Sequence, residues 1–279
     1  MGEDHIAGKV IVITGAGGGF GRLVAGKAAA RGAHVVCGDI NEAAVHDVVA
    51  DIVSGGGSAK ALRTDVTKLH DMKALVKAAT EAFGRIDVMV NNAGTMPLSF
   101  IADHEKAYDA WERCIDINFK GVLNGMVAAH DAMMAQGRGQ IVNLSSIYGN
   151  FPVTGAAVYG ATKAAVNVLS ESLRVEARGK IKVTTIKPTG VPATGLSGTI
   201  INPDATIGII GQNAGAFMEM VGQIESGSIA AERMDPENIA YESLAPEHIA
   251  DAIIHVIDQP WGVSIGEMTV RASGDHFIL

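Results

Sequence analysis

Short apolar runs alternate with longer stretches of helical period along almost the whole chain. Val10–Thr14, His34–Gly38, Ala59–Arg63, Ile86–Asn91, Gly139–Leu144, Lys182–Ile186 and a late Glu267–Arg271 read as strands. Between them Gly19–Arg31, Glu42–Ser54, Lys68–Phe83, Tyr108–Gln136, Ala157–Arg178 and Pro246–Gln259 read as helices. Strands that are apolar almost throughout, separated by helices, predict an α/β fold with one doubly wound parallel sheet covered on both faces. The alternation breaks after the sixth strand. Pro188–Glu232 holds no Lys, Arg or His and is rich in Ile, Met and Gly, which predicts an apolar lobe or lid, spanning about 189–245, inserted into a single domain of residues 1–279.

Composition narrows the classes. Of the 279 residues 48% are hydrophobic and 19% charged, enough to bury a large core. A net charge of -8 argues against nucleic acid and anionic membrane surfaces as partners. No signal peptide and no apolar run of membrane-spanning length is visible, so a cytoplasmic location is expected. Cys37 and Cys114 form no CxxC pair and read as small buried hydrophobes, and the nine scattered histidines have no metal-ligand spacing, so no metal is expected.

Candidate chemistry gathers at strand ends. The first strand runs through Thr14-Gly-Ala-Gly-Gly-Gly-Phe-Gly21 into a helix, a turn that lets a diphosphate approach the backbone at a helix N-terminus. The second strand ends at Asp39, where a carboxylate can accept from a ribose diol and repel a 2′-phosphate. No basic residue stands in the glycine turn or in Ile40-Asn41-Glu42, which favours NAD over NADP. On a helix Tyr159 and Lys163 share a face, and an ammonium beside the phenol would favour phenolate.

With Asn91-Asn-Ala-Gly94, Asn143-Leu-Ser-Ser146 and Tyr159-xxx-Lys163 following the glycine turn in order, the chain resembles the short-chain dehydrogenase/reductase family over roughly Gly8 to Gly190. That resemblance implies a Rossmann-type domain of about seven strands and an NAD-dependent oxidoreductase. It makes Tyr159 the general acid/base, Ser146 (rather than its neighbour Ser145) the donor to the substrate oxygen, Lys163 the residue on the nicotinamide ribose, and Asn118 the anchor of a water in the proton relay. It assigns the cofactor to Gly15, Gly19, Phe20, Gly21, Asp39, Ile40, Asp65, Val66, Asn92, Ala93 and Gly94, with Pro188, Gly190, Val191 and Thr194 after the sixth strand. Thr189 departs from the family's glycine at its position, and Phe20 replaces a smaller aliphatic residue.

Met96, Ile147, Phe151, Val153 and Leu196 flank these motifs and are the expected substrate pocket. The cation-free lobe points to an uncharged, fairly apolar secondary alcohol or ketone, because carboxylates and phosphates usually meet Arg or Lys. The alternatives are a 3-oxoacyl carrier-protein thioester reductase, a non-catalytic dinucleotide-binding protein, and a sugar epimerase or dehydratase, which would need a larger C-terminal domain. Relatives of this kind form dimers or tetramers through the two long helices, and the tail Phe277-Ile-Leu279 is a candidate second interface.

Overall fold

The computed structural model describes residues 4–192 and 194–278. Seven strands form one sheet in the order β3-β2-β1-β4-β5-β6-β7: β1 (Val10–Thr14), β2 (His34–Asp39), β3 (Ser58–Arg63), β4 (Val88–Asn91), β5 (Gly139–Leu144), β6 (Ile181–Pro188) and β7 (Glu267–Val270). Every adjacent pair is parallel. β1 and β5 are buried along their whole length, whereas the edge strands β3 and β7 are only half-buried. This explains why the inner strands read as unbroken apolar runs and the edges do not.

Alternation along β1 sends Ile11 and Ile13 to one face and Val10 and Val12 to the other. The first face packs on α1 (Gly19–Ala30), α2 (Glu42–Ser54) and α8 (Pro246–Ile257). The second packs on α3 (Leu69–Phe83), α5 (Gly121–Gln136) and α6 (Ala157–Glu176). The Asn41 side chain caps α2 by accepting from Ala44 N at 3.1 Å.

The order reverses between β1 and β4, so connections leave the sheet in opposite directions there. A crevice opens beyond the C-terminal strand ends at that point.

One reading of the sequence needs correction. Tyr108–Gln136 is not one regular helix. α4 (His104–Cys114) runs into a π-helical turn, Ile115–Lys120, before α5 begins. The extra residue per turn aims Asn118 inward, where its Nδ2 donates to Thr95 O at 2.8 Å and its Oδ1 accepts from Thr95 N at 2.9 Å. In the tail Ile278 N donates to Ile209 O at 3.2 Å while the Ile278 side chain is exposed, and Phe277 packs on a third apolar cluster with Leu98, Ile147, Tyr159 and Ile209. Leu279 lies outside the described residues. The segment between β6 and α8 consists of short 3-10 turns and one helix, α7 (Ala214–Glu225). Among the described residues no helix is long and apolar enough to cross a membrane.

Gly125 shows how tightly α5 sits on β4. A Cβ there would lie 1.9 Å from Asn91 Oδ1, and Asn91 Nδ2 is already committed to Asn143 Oδ1 at 2.8 Å. Gly125→Ala must therefore push Asn91 off its partner, at about 1–3 kcal/mol. At roughly 2–4 °C per kcal/mol for a chain of this size, thermal unfolding should shift down by about 2–12 °C. An unchanged melting temperature would refute this close contact.

Candidate active site

The C-terminal ends of β1, β4, β5 and β6 border a cavity of about 830 Å³. Its floor at β1 is the glycine turn. Gly15 has φ 65°, and a Cβ on it would lie 2.9 Å from Ala93 Cα, so only glycine lets the turn fold onto the next strand. A Cβ on Gly21 would strike Gly15 O at 2.2 Å, which keeps α1 close beneath the turn. Asn92 fixes the other side: its Nδ2 donates to Thr14 O at 3.0 Å and Gly15 O at 3.1 Å. Gly18 and Gly19 would meet nothing with a Cβ, which leaves backbone open towards the cavity. The Asp39 carboxylate accepts from Gly17 N at 2.9 Å and from Asn41 N at 2.9 Å. It thus stands at the rim, braced by the turn itself.

The opposite wall comes from β5 and α6. Lys163 Nζ donates to Leu144 O at 2.8 Å, and Ser145 Oγ donates to Lys163 O at 3.1 Å. Ser145, Ser146, Tyr159 and Lys163 all border the cavity, but the Ser145 hydroxyl is committed to the helix backbone. Lys163 Nζ lies 5.7 Å from the centre of the Tyr159 ring, over its face. Gly94 separates Lys163 from Asn118: a Cβ there would be 3.3 Å from Asn118 Oδ1 and 3.8 Å from Lys163 Nζ.

Burial governs the titration of this group. Desolvation pushes the Tyr159 phenol well above its ordinary range, while the Ser146 hydroxyl pulls it down. Desolvation lowers Lys163 to about 8, and the neighbouring Cys114 acts the other way. Lys163 faces the ring of Tyr159, and loss of water is the largest influence on the phenol.

The structure brings most of the sequence-predicted residues together. Gly15, Gly19, Phe20, Asp39, Asn92, Ala93 and Gly94 border the cavity from one side, and Pro188, Gly190, Val191 and Thr194 from another. Met96 and Leu196 also face it. Asn118 stands behind the wall, fully buried. Ile40 is exposed and off the cavity. Asp65 is engaged by Thr67, accepting from its N at 3.0 Å and its Oγ1 at 2.7 Å. Val66 packs on Gly121, where a Cβ would meet it at 2.8 Å.

Three of the five expected pocket residues do not border the cavity. Ile147 is buried in the third apolar cluster, Phe151 points outward at 63% exposure, and Val153 packs on that same cluster. The 3-10 turn that follows Ser146 rotates them away and presents Tyr148 instead.

Other wall residues carried no local signal. Leu98, Ile209, Phe217, Met220 and Ile224 come from the lobe and the chain before α4, and Phe277 from the tail. A Cβ on Gly190 would sit 2.0 Å from Phe277 Cζ. The Thr189 hydroxyl, at the departure from the family pattern, is buried with no partner among the described residues. Among the described residues lining the cavity, Lys163 is the single cation, against Asp39, Glu225 and Glu242. No group of three or more His, Cys, Asp or Glu able to hold a metal occurs among the described residues.

Comparison with known proteins finds relatives along most of the chain. The short chain dehydrogenase family profile matches residues 9–204. An uncharacterized oxidoreductase of Listeria monocytogenes is 35% identical over 268 residues, covering 95% of this chain and 96% of that protein. The glycine betaine reductase ATRR of Emericella nidulans is 34% identical over 270 residues, which are 96% of this chain but 19% of that much longer protein. Among solved structures, an alcohol dehydrogenase of the archaeon Thermococcus sibiricus complexed with 5-hydroxy-NADP superimposes with a TM-score of 0.75. It shares 21% identity and covers 95% of this chain and 97% of its own; at that identity the likeness speaks for the fold.

The Lys163 shift has a consequence for stability. Its pKa is lowered to about 8 in the folded protein from 10.5, so burial of the charge opposes folding fully below pH 8. Between pH 8 and 10.5 the unfolded chain holds the proton and the native chain does not, so native stability rises with pH. The melting temperature of the parent relative to Lys163→Met should therefore improve as pH goes from 7 to 10. A difference that stays flat or falls would show that the ammonium is not desolvated.

Proposed function

The chain belongs to the short-chain dehydrogenase family, whose oxidoreductases use a nicotinamide dinucleotide, and on that premise we propose that it oxidises an uncharged, fairly apolar secondary alcohol, or reduces the matching ketone, with NAD(H). One observation carries the reading: Ser146, Tyr159 and Lys163 share one cavity with the glycine turn and the Asp39 carboxylate.

The residues fit a dinucleotide. The turn at Gly15 and Gly21 admits no side chain, and Gly18 and Gly19 leave backbone open for a diphosphate. When bound, the dinucleotide supplies the hydride acceptor or donor at its nicotinamide ring. Gly15, Gly19, Phe20, Gly21, Asn92, Ala93 and Gly94 hold it from the β1 and β4 side, and Pro188, Gly190, Val191 and Thr194 from the β6 side. Ile40, Asp65 and Val66 stay as outer contacts for the adenosine end.

The chain's own chemistry is proton handling. Tyr159 takes the hydroxyl proton of the alcohol, or returns it to the ketone oxygen, while Ser146 donates a hydrogen bond to that oxygen. Burial keeps the phenol protonated, so the ionised form arises only as charge moves through the site. Lys163, held by Leu144 O, keeps a positive charge facing the Tyr159 ring, and Asn118 anchors the relay behind it.

The cofactor choice rests on Asp39. No cation lies near that rim among the described residues of the cavity wall, so a 2′-phosphate would meet a carboxylate without a counter-charge. The archaeal neighbour carries an NADP derivative, so the fold itself admits either form. The same lack of cations, with Met96, Leu98 and Phe217 on the wall, supports an uncharged substrate over a phosphate-bearing one. Exposed apolar side chains on α5 (Leu123, Val127) and α6 (Val168, Val175) support a homo-oligomer built on those helices, a dimer or tetramer. The lobe over 189–245 would cover the substrate.

Two measurements test this. Tyr159→Phe should lower kcat for secondary alcohols by about 10²–10⁴-fold, with NADH affinity held within about threefold; near-parental turnover would remove Tyr159 from the chemistry. The parent should turn over NAD in preference to NADP, and Asp39→Asn should narrow that ratio about tenfold or more by removing the like charge. A parent that works better with NADP defeats the cofactor assignment.

A further inference from the structure

A second phenol stands in the cavity beside the first. Tyr148 is buried, borders the cavity and packs edge-on against Tyr159, with ring centroids 5.4 Å apart and planes at 72°. Its backbone N donates to Ser146 Oγ at 3.2 Å, so its position is tied to the serine that faces the reacting oxygen. Its hydroxyl has no hydrogen-bond partner among the described residues, yet it is not among the polar atoms sealed off by protein. A phenol in such a place normally finds a partner for its hydroxyl. Leu98, Ile209 and Ile210 belong to the same apolar cluster as its ring, and the hydroxyl is left to the cavity. A molecule bound there can accept from Tyr148 in place of water.

We propose that Tyr148 is a substrate-recognition residue that donates to a second oxygen close to the reacting carbon, so that the site selects uncharged vicinal diols and hydroxyketones over simple secondary alcohols. This rests on the reading of the cavity as an alcohol dehydrogenase site and specifies its substrate. One oxygen lies between Ser146 and Tyr159, and the neighbouring one reaches Tyr148. In oxidation the carbinol carbon loses hydride to the dinucleotide and its hydroxyl proton to Tyr159, leaving a ketone. The second hydroxyl keeps both its bonds and serves only for binding. An anionic second oxygen, as in a hydroxy acid, is disfavoured. The cavity's cation Lys163 is engaged by Leu144 O at 2.8 Å, and Glu225 and Glu242 also line the wall.

The test compares 2,3-butanediol with 2-butanol as substrates of the full-length protein, measured as kcat/KM with NAD. The parent should favour the diol by about tenfold or more, the worth of one neutral hydrogen bond to an otherwise unpaired group. Tyr148→Phe, which keeps the ring and its contact with Tyr159, should reduce that preference about tenfold, the loss falling mainly on KM for the diol. Tyr148→His, which restores a donor, should recover part of it. A preference unchanged within twofold in Tyr148→Phe overturns the proposal. So does a parent that is active but favours 2-butanol. Should Tyr148→Phe fail to fold, the same ratio in Tyr148→His against Tyr148→Leu decides the matter. Absence of turnover by the parent with either alcohol and either dinucleotide defeats the underlying enzymatic reading and this inference with it. Turnover with an unchanged ratio defeats the inference alone.

Discussion

Everything in the cavity depends on how α6 is laced to the end of β5. Lys163 Nζ reaches Leu144 O, Ser145 Oγ returns to Lys163 O, and Asn143 Nδ2 donates to Ser170 Oγ at 2.9 Å about two turns further on. These three bonds fix both the rotation and the height of the helix against the strand. A Cβ on Gly149 would fall 2.7 Å from the Lys163 carbonyl carbon, so the turn after Ser146 is pressed onto the same helix. With rotation and height set, Ser146 and Tyr159 have one relative position. The proton transfer proposed for this pair needs that degree of fixation, because it tolerates errors of only fractions of an ångström.

The lacing has an electrostatic cost. It places a lysine and a tyrosine out of water, where neither charged form is welcome: the phenol is pushed up and the ammonium down. Both shifts oppose charge in the site, yet Lys163 at about 8 still carries its proton at neutral pH. Cys114 adds to this setting without entering the chemistry. It is buried, its own thiol is pushed up to about 11 by desolvation, and it accepts from Asn118 Nδ2 at 3.3 Å. The π-helical turn therefore holds Asn118 with four groups at once: both polar atoms of the Thr95 backbone, Cys114 and Thr162.

What could be read in the sequence was what local physics dictates. β1, α2 and β5 begin and end where their apolar runs and the Asn41 cap put them. The glycine turn, Asp39 and the Tyr159–Lys163 pair could be picked out as candidates by spacing along one element or by position at a strand end, and Ser146 by the family resemblance; the structure places Asp39, Ser146, Tyr159, Lys163 and the turn on one cavity. The π-helical turn was not, because the apolar period continues through Ile115–Lys120 while the backbone adds a residue per turn. Phe277 gave no signal either, since its contact with Gly190 joins positions 87 apart in sequence. The pocket reading went astray for a related reason. Proximity in sequence to Ser146 named Ile147 and Phe151, but a 3-10 turn decides which neighbours face inward, and it chose Tyr148.

The lobe completes the argument from the other side. Its Ile, Met and Phe side chains and the tail residue Phe277 enclose one end of the cavity, while the glycine turn and Asp39 define the other. An apolar enclosure alone would select by size, and such selection is weak, of the order of 1–3 kcal/mol per methylene. Hydroxyls placed within it discriminate more sharply, because each one left unpaired by the wrong ligand costs its full desolvation. The wall holds Ser146 and Tyr148, whose positions are coupled through the bond from Tyr148 N to Ser146 Oγ, and Tyr159, which Tyr148 touches ring to ring. On the proposed reading, selectivity and proton transfer belong to one small connected group, in which a change at any member is felt by the other two.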